Sequence, residues 1–171
     1  MVKIQNIAVL TSGGDAPGMN AAIRAVVRAA IYHNIGAFGV RDGFNGLIDA
    51  RLDQLSYEDV SNILQRGGTI LGTARSERFK VQSEREKVYA ILKERKIDAL
   101  IGIGGDGTFK GLSTFSKEFD FPVIGIPGTI DNDIHGTDYS IGFDTALNTI
   151  VEAVDKIRDT ASSHHRVFIV E

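Results

Sequence analysis

The chain has 171 residues, of which 43% are hydrophobic and 24% charged, with 3 prolines, 19 glycines and a formal net charge of −3. That length suits one ordinary domain able to bury roughly 70% of the surface its unfolded chain exposes, and the balance excludes a disordered or fibrous chain. The lack of cysteine excludes a disulfide framework and a thiolate metal site, and the acidic balance argues against nucleic acid or an anionic membrane as partner.

Short apolar runs alternate with helical patterns, which predicts an α/β fold on a parallel sheet, because parallel strands must be joined by crossovers. A first strand is expected over 4–10, followed by a helix over 18–33. That helix is apolar almost all round except for Arg24 and Arg28, four residues apart, and is expected to be nearly buried. A second strand is expected over 37–41. Ser56 with Asp59 suggests a helix start for 56–65, and Ser83 with Glu86 has the capping-box spacing for a helix over 83–95. Lys93, Arg95 and Lys96 close that helix where its dipole favours cations. Strands over 97–103, 122–126 and 166–170 follow, with a helix over 143–160 carrying Leu147, Ile150, Val151 and Val154 on one side. No apolar run reaches the roughly 18 residues of a membrane span, and the first apolar stretch stops at Leu10, unlike a signal peptide. A cytoplasmic setting is expected. An apolar strand at the end with no crossover after it reads as a fragment of a longer fold.

Three glycine-containing loops at strand ends carry the chemistry. Thr11-Ser12-Gly13-Gly14-Asp15-Ala16-Pro17-Gly18 brings backbone N–H groups and a helix N-terminus to one spot, which makes an anion site or, more plainly, a tight turn that needs glycine. It matches neither the P-loop nor the dinucleotide fingerprint. Gly102-Ile103-Gly104-Gly105-Asp106-Gly107-Thr108 sets a carboxylate among glycines. A carboxylate beside phosphates needs a cation between them, so Asp106 is expected to hold Mg²⁺; the alternative is a helix cap. Pro127-Gly128-Thr129-Ile130-Asp131-Asn132-Asp133 follows another strand, and ligands collect at such strand ends. Asp131 is the candidate base for a hydroxyl nucleophile, against the alternative that Asp131 and Asp133 merely tie the turn. Arg75, at the end of the glycine-containing loop 66–75, is a candidate bidentate phosphate donor or a solvated loop arginine. His164 and His165 lack partners for zinc and read as a polar loop.

Together TSGGDAPGMNAAIR, GGDGT and PGTIDND, in this order, resemble the bacterial phosphofructokinase family, and the similarity runs from Lys3 to Glu171. GGDGT alone would not suffice, since NAD and lipid kinases carry a similar loop. The resemblance implies a Rossmann-like three-layer αβα phosphofructokinase fold, truncated, with residues 1–140 as a nucleotide-binding domain and 141–171 as the start of a sugar-binding domain. It implies phosphoryl transfer from ATP, with Mg²⁺, to the 1-hydroxyl of fructose 6-phosphate, in a homotetramer. Gly14, Gly105, Gly107 and Thr108 match positions around the ATP phosphates, and Asp106 matches the metal position. Asp131 matches the base, with Thr129, Ile130 and Asp133 beside it in the sugar-binding segment. Arg75 matches a residue that touches ATP and the transferring phosphoryl group, and Ser76 stands where some members set an aromatic ring against adenine. Arg166 matches an arginine that reaches the sugar phosphate of a neighbouring subunit, while Arg24, Arg28 and Arg158 match effector-binding positions. Residues 56–62 lack the arginine and aspartate of the allosteric members, which puts effector control in doubt. Pyrophosphate-using relatives carry Asp at the position of Gly107 and Lys at that of Gly128, so two glycines favour ATP. The alternatives are a nucleotide-binding fragment without catalysis and a pyrophosphate-dependent enzyme.

Overall fold

In the first strand, β1 (Asn6–Ser12), alternate side chains enter different apolar clusters: Ile7 and Val9 on one side, Ala8 and Leu10 on the other. A strand buried on both faces must lie inside a sheet covered on both sides. The computed structural model, which describes residues 4–169, has that arrangement. After β1 come α1 (Met19–Tyr32), β2 (Gly36–Val40), α2 (Gly43–Ile48), β3 (Leu52–Gln54), a 3-10 turn at Arg78–Lys80, α3 (Gln82–Glu94), β4 (Ala99–Gly104), α4 (Asp106–Phe119), β5 (Val123–Thr129), β6 (Ile141–Gly142) and α5 (Phe143–His164). The sheet order is β3-β2-β1-β4-β5-β6. All neighbours run parallel except β2 and β3, a short antiparallel edge that the sequence pattern does not announce.

Met19, Ile23 and Val27 of α1 pack on the first cluster, together with Leu55, Val60, Ile63 and Leu71 from the chain after β3. Phe44 and Leu47 of α2, Val88 and Leu92 of α3, and Leu112 and Phe115 of α4 fill the second. The result is a three-layer αβα unit. Because α1 leaves β1 toward one face and α4 leaves β4 toward the other, a crevice opens where these adjacent strands part. The register places the ends level, with Ser12 opposite Gly104 and Gly104 opposite Pro127.

Several local expectations are corrected. Ser56 and Asp59 do form the reciprocal pair, with Ser56 N and Oγ each 2.7 Å from Asp59 Oδ2 and Asp59 N 3.3 Å from Ser56 Oγ. No helix follows over 56–65, only turns. Val60 and Ile63 are drawn under α1, Asn62 adopts a left-handed backbone (φ 54°), and the Val60 carbonyl accepts from Arg24 Nη1 at 2.7 Å, so tertiary packing overrides the local signal. The helix over 83–95 begins at Gln82 behind Val81, without a side-chain cap, and Glu86 accepts from Gln82 Nε2 instead. Helix α1 is buried along one face only, because just one layer covers it; Tyr32 is 82% exposed. Residues 166–169 form no strand, and Val167 and Ile169 are 92% and 96% exposed. An apolar strand needs a sheet edge to receive it, and α5, none of whose residues is buried, brings none there. Val170 lies outside the described residues.

Between α3 and α4, Arg85 is buried and meets Glu118 through two 2.6 Å contacts, its third donor reaching the Phe79 carbonyl at 2.7 Å. The hydrogen bond from Arg85, helped by its charge, holds the Glu118 carboxyl below the ordinary glutamate range. A carboxyl depressed in the folded state stabilises the fold above its unfolded pKa, and that stabilisation is lost as pH falls through the folded value. Glu118→Gln is expected to cost about 1–3 kcal/mol at neutral pH and to flatten the acid limb of the stability curve, as read by urea unfolding between pH 7 and 3.

Candidate active site

The crevice is a cleft of about 960 Å³. Its walls include Gly14, Arg75, Ser76, Gly105, Asp106, Gly107, Thr108, Thr129, Ile130, Asp131 and Asp133, so corners far apart in sequence meet here. Arg24, Arg28, Arg158 and Arg166 are not among its walls.

The first corner turns through Gly13 and Gly18, both at φ 91°, a conformation that side chains rarely adopt. It is stitched to the loop that carries Arg75. Gly13 N donates to the Ala74 carbonyl at 3.3 Å, and Thr73 Oγ1 donates to the Gly13 carbonyl at 2.8 Å. Thr11 Oγ1 lies 2.8 Å from the Gly72 carbonyl. Behind them buried Asn20 accepts from Ile70 N at 2.8 Å and donates to the Arg66 carbonyl at 3.0 Å. Thr11 and Thr73 lie in segments that the sequence singles out but without this supporting role, and Asn20 was missed; an asparagine on the core side of an apolar helix was its one sequence signal.

In the second corner Asp106 is the first residue of α4, and Gly105 occupies the capping position without a side-chain hydrogen bond. The capping alternative for Asp106 is therefore not realised. Its carboxylate is 55% exposed and meets Lys110 Nζ, one turn along the helix, at 2.6 Å. That hydrogen bond holds the Lys110 ammonium above the ordinary lysine range. Lys110 is a cleft residue that the motifs did not point to, although its place four residues after Asp106 on a helix is a readable signal. Thr108 is buried, and its hydroxyl donates to the Ser12 carbonyl at 3.0 Å, so it ties the second corner to the first. A Cβ added at Gly107 would meet nothing within 4 Å, whereas one at Gly128 would lie 3.1 Å from Ile103 Cγ2. Space beside the second corner is thus kept open by a missing side chain.

In the third corner the turn is tied by Asn132, not by its acidic neighbours. Asn132 has φ 50°, accepts from Ser140 N at 2.8 Å and donates to the Asp138 carbonyl at 3.1 Å. Asp131 N bonds Thr129 Oγ1 at 3.2 Å, and Ser140 Oγ holds the Thr129 carbonyl at 2.8 Å. Asp131 and Asp133 both line the cleft, and both are exposed. Ser76 Oγ donates to Asn45 Oδ1 at 2.6 Å and accepts from Phe79 N at 3.2 Å, so it fixes the 3-10 turn. Apolar surface in the cleft comes from Phe44 and Phe79, stacked with centroids 4.0 Å apart.

The donor set suits magnesium. Among the described residues no group of three or more His, Cys, Asp or Glu could hold a metal ion. Magnesium needs none, since it commonly takes one or two carboxylates and keeps waters and phosphate oxygens as its other ligands. A half-exposed Asp106 at a glycine corner fits that pattern.

Outside the cleft, the Arg28 guanidinium stacks 3.9 Å over the Tyr57 ring, with its Nε buried and unpartnered. Arg158 pairs with Asp155 on α5 at 3.3 Å, and Arg166, just beyond α5, is exposed. No helix among the described residues is long and apolar enough to cross a membrane.

Residues 6–171 match the family model described as Phosphofructokinase. The chain is 55% identical over 168 residues to an ATP-dependent 6-phosphofructokinase of Oceanobacillus iheyensis, covering 98% of this chain and 52% of that protein. It is 56% identical over 171 residues to ATP-dependent 6-phosphofructokinase 2 of Bacteroides thetaiotaomicron, covering 100% and 52%. A solved phosphofructokinase from Saccharomyces cerevisiae superposes with a TM-score of 0.90 at 40% identity, covering 95% of this chain and 25% of that one. The chain spans about half the length of the curated relatives it matches. Three glycine corners on one parallel-sheet crevice, a family model that covers nearly every residue and relatives more than half identical lead to one assignment: the chain belongs to the phosphofructokinase family.

Proposed function

We propose that this chain forms the nucleotide-binding and base-bearing part of an enzyme that transfers a phosphoryl group from MgATP to the 1-hydroxyl of fructose 6-phosphate. The observation that carries the reading is the meeting of Gly14, Asp106 and Asp131 in one cleft. The relatives named ATP-dependent 6-phosphofructokinase, similar over 98% of the chain or more, support it.

In this reading the amides of the first two corners, at Gly14 and Gly105 to Thr108, hold the polyphosphate. Asp106 would hold magnesium, which neutralises phosphate charge when bound. Asp131 accepts the hydroxyl proton as the sugar oxygen bonds to phosphorus and the bond to the departing nucleoside diphosphate breaks. Thr129 and Asp133 border the sugar, and the Arg75 guanidinium donates to the oxygens of the group in flight. Catalysis is mainly positioning and charge compensation. The open space beside Gly107 and the relatives' names favour ATP over pyrophosphate.

Residues 1–140 would form the nucleotide-binding domain and 141–171 the start of a sugar-binding domain, with Arg166 serving a neighbouring subunit of a homotetramer in the cytoplasm. Arg24, Arg28 and Arg158, all away from the cleft, would serve a nucleotide effector. A second reading, nucleotide binding without turnover by this segment alone, draws on its spanning about half of its relatives. Calorimetry with MgATP followed by a coupled assay with fructose 6-phosphate separates the two. Binding and turnover support the enzyme, binding alone supports the module, and no binding rejects both.

A further inference from the structure

A polyphosphate is a strange guest for this cleft. Four cations line it, Arg75, Lys80, Arg85 and Lys110, against five carboxylates. Two of those cations are already paired: Lys80 Nζ lies 2.7 Å from Glu77, one of the five, and Arg85 is locked to Glu118 behind the cleft. Lys110 is also engaged, but its partner is Asp106, the carboxylate in the magnesium position. A metal arriving at Asp106 takes that partner away. Lys110 is 77% exposed on a flexible four-carbon stem and stands on the cleft wall one turn above the glycine corner. An ammonium released there is free to turn to phosphate oxygens held at the glycine corner.

We propose that Lys110 is a stand-in cation: it neutralises Asp106 while the cleft is empty, and yields that carboxylate to the metal and turns to the nucleotide phosphates when the cleft fills. This rests on the phosphoryl-transfer reading above. Its consequence is that metal-free nucleotide meets a neutralised Asp106 rather than a bare negative charge. Binding without magnesium is then weakened less than the count of carboxylates suggests.

The test is the ratio of dissociation constants for a non-hydrolysable ATP analogue in EDTA and in saturating magnesium, measured by calorimetry on the protein that carries this chain. Lys110→Met removes one exposed phosphate contact from the magnesium complex and leaves a bare Asp106 beside several phosphate charges in EDTA; the second loss is the larger, and the ratio is expected to widen about fivefold, the scale of one charge contact in water. Lys110→Arg should restore most of it. In Asp106→Asn/Lys110→Met both charges are gone, and the ratio should fall below that of the parent. Because Lys110 is exposed, the single variants are expected to fold, and circular dichroism checks this. If the parent binds the analogue with magnesium but Lys110→Met leaves the ratio within twofold, Lys110 is only a solvated surface partner and the inference fails. If the parent does not bind the analogue at all, the phosphoryl-transfer reading fails with it.

Discussion

Asp131→Asn is expected to lower turnover with fructose 6-phosphate about 10²–10⁴-fold, the usual contribution of a positioned general base, while nucleotide affinity stays close to that of the parent. The substitution keeps the shape of the side chain and removes its ability to take a proton. The loop itself should survive, because its ties run through Asn132, Ser140 and Thr129. Single-turnover measurement of phosphoryl transfer, with calorimetry of the nucleotide, reads both quantities. Parental turnover in the variant would remove the base assignment. A loss of nucleotide affinity as large as the loss of rate would instead make Asp131 a structural residue of the cleft.

Asp106→Ala is expected to abolish the response to magnesium and to lower turnover by at least about 10²-fold, in line with the loss of a preorganised charge contact at a reacting phosphate. Folding should change little. Asp106 is half exposed and does not cap α4, so its removal forfeits a favourable helix-terminus charge and one exposed ion pair and leaves no buried group unsatisfied. A magnesium titration of turnover, paired with thermal unfolding in EDTA, distinguishes the two effects. A variant that still responds to magnesium like the parent would place the metal elsewhere. Asp106→Ala also leaves Lys110 without its partner, which makes Lys110→Met in the same background the natural control for the competition between ammonium and metal.

Much of this protein can be read from its residues because the informative signals are local and repeated. Buried parallel strands are short apolar runs, and β1, β2, β4 and β5 fall within a few residues of where those runs lie. Glycine corners after strands are equally legible, since few other residues permit the backbone to turn that sharply beside a phosphate-sized space. The same local logic misled where packing outweighed it. The pair Ser56–Asp59 is chemically complete and starts no helix, because Val60 and Ile63 gain more by entering the cluster beneath α1. The apolar run 166–169 has the composition of a strand, but hydrogen bonding in a sheet requires a neighbour, and no pairing reaches it.

Sequence alone was enough to determine the α/β class, the three motif corners and the acidic residues within them, because each depends on side-chain type and spacing over a few residues. Tertiary structure decided which groups share the cleft and what each is free to do. It gave Thr108 to the Ser12 carbonyl, fixed the Arg75 loop through Thr11, Asn20 and Thr73, and brought Asp131 and Asp133 to the same cleft as Gly14 and Asp106. Hydrogen bonds and charge contacts act over a few ångströms of space, and only the packed sheet brings residues sixty or a hundred positions apart within that reach.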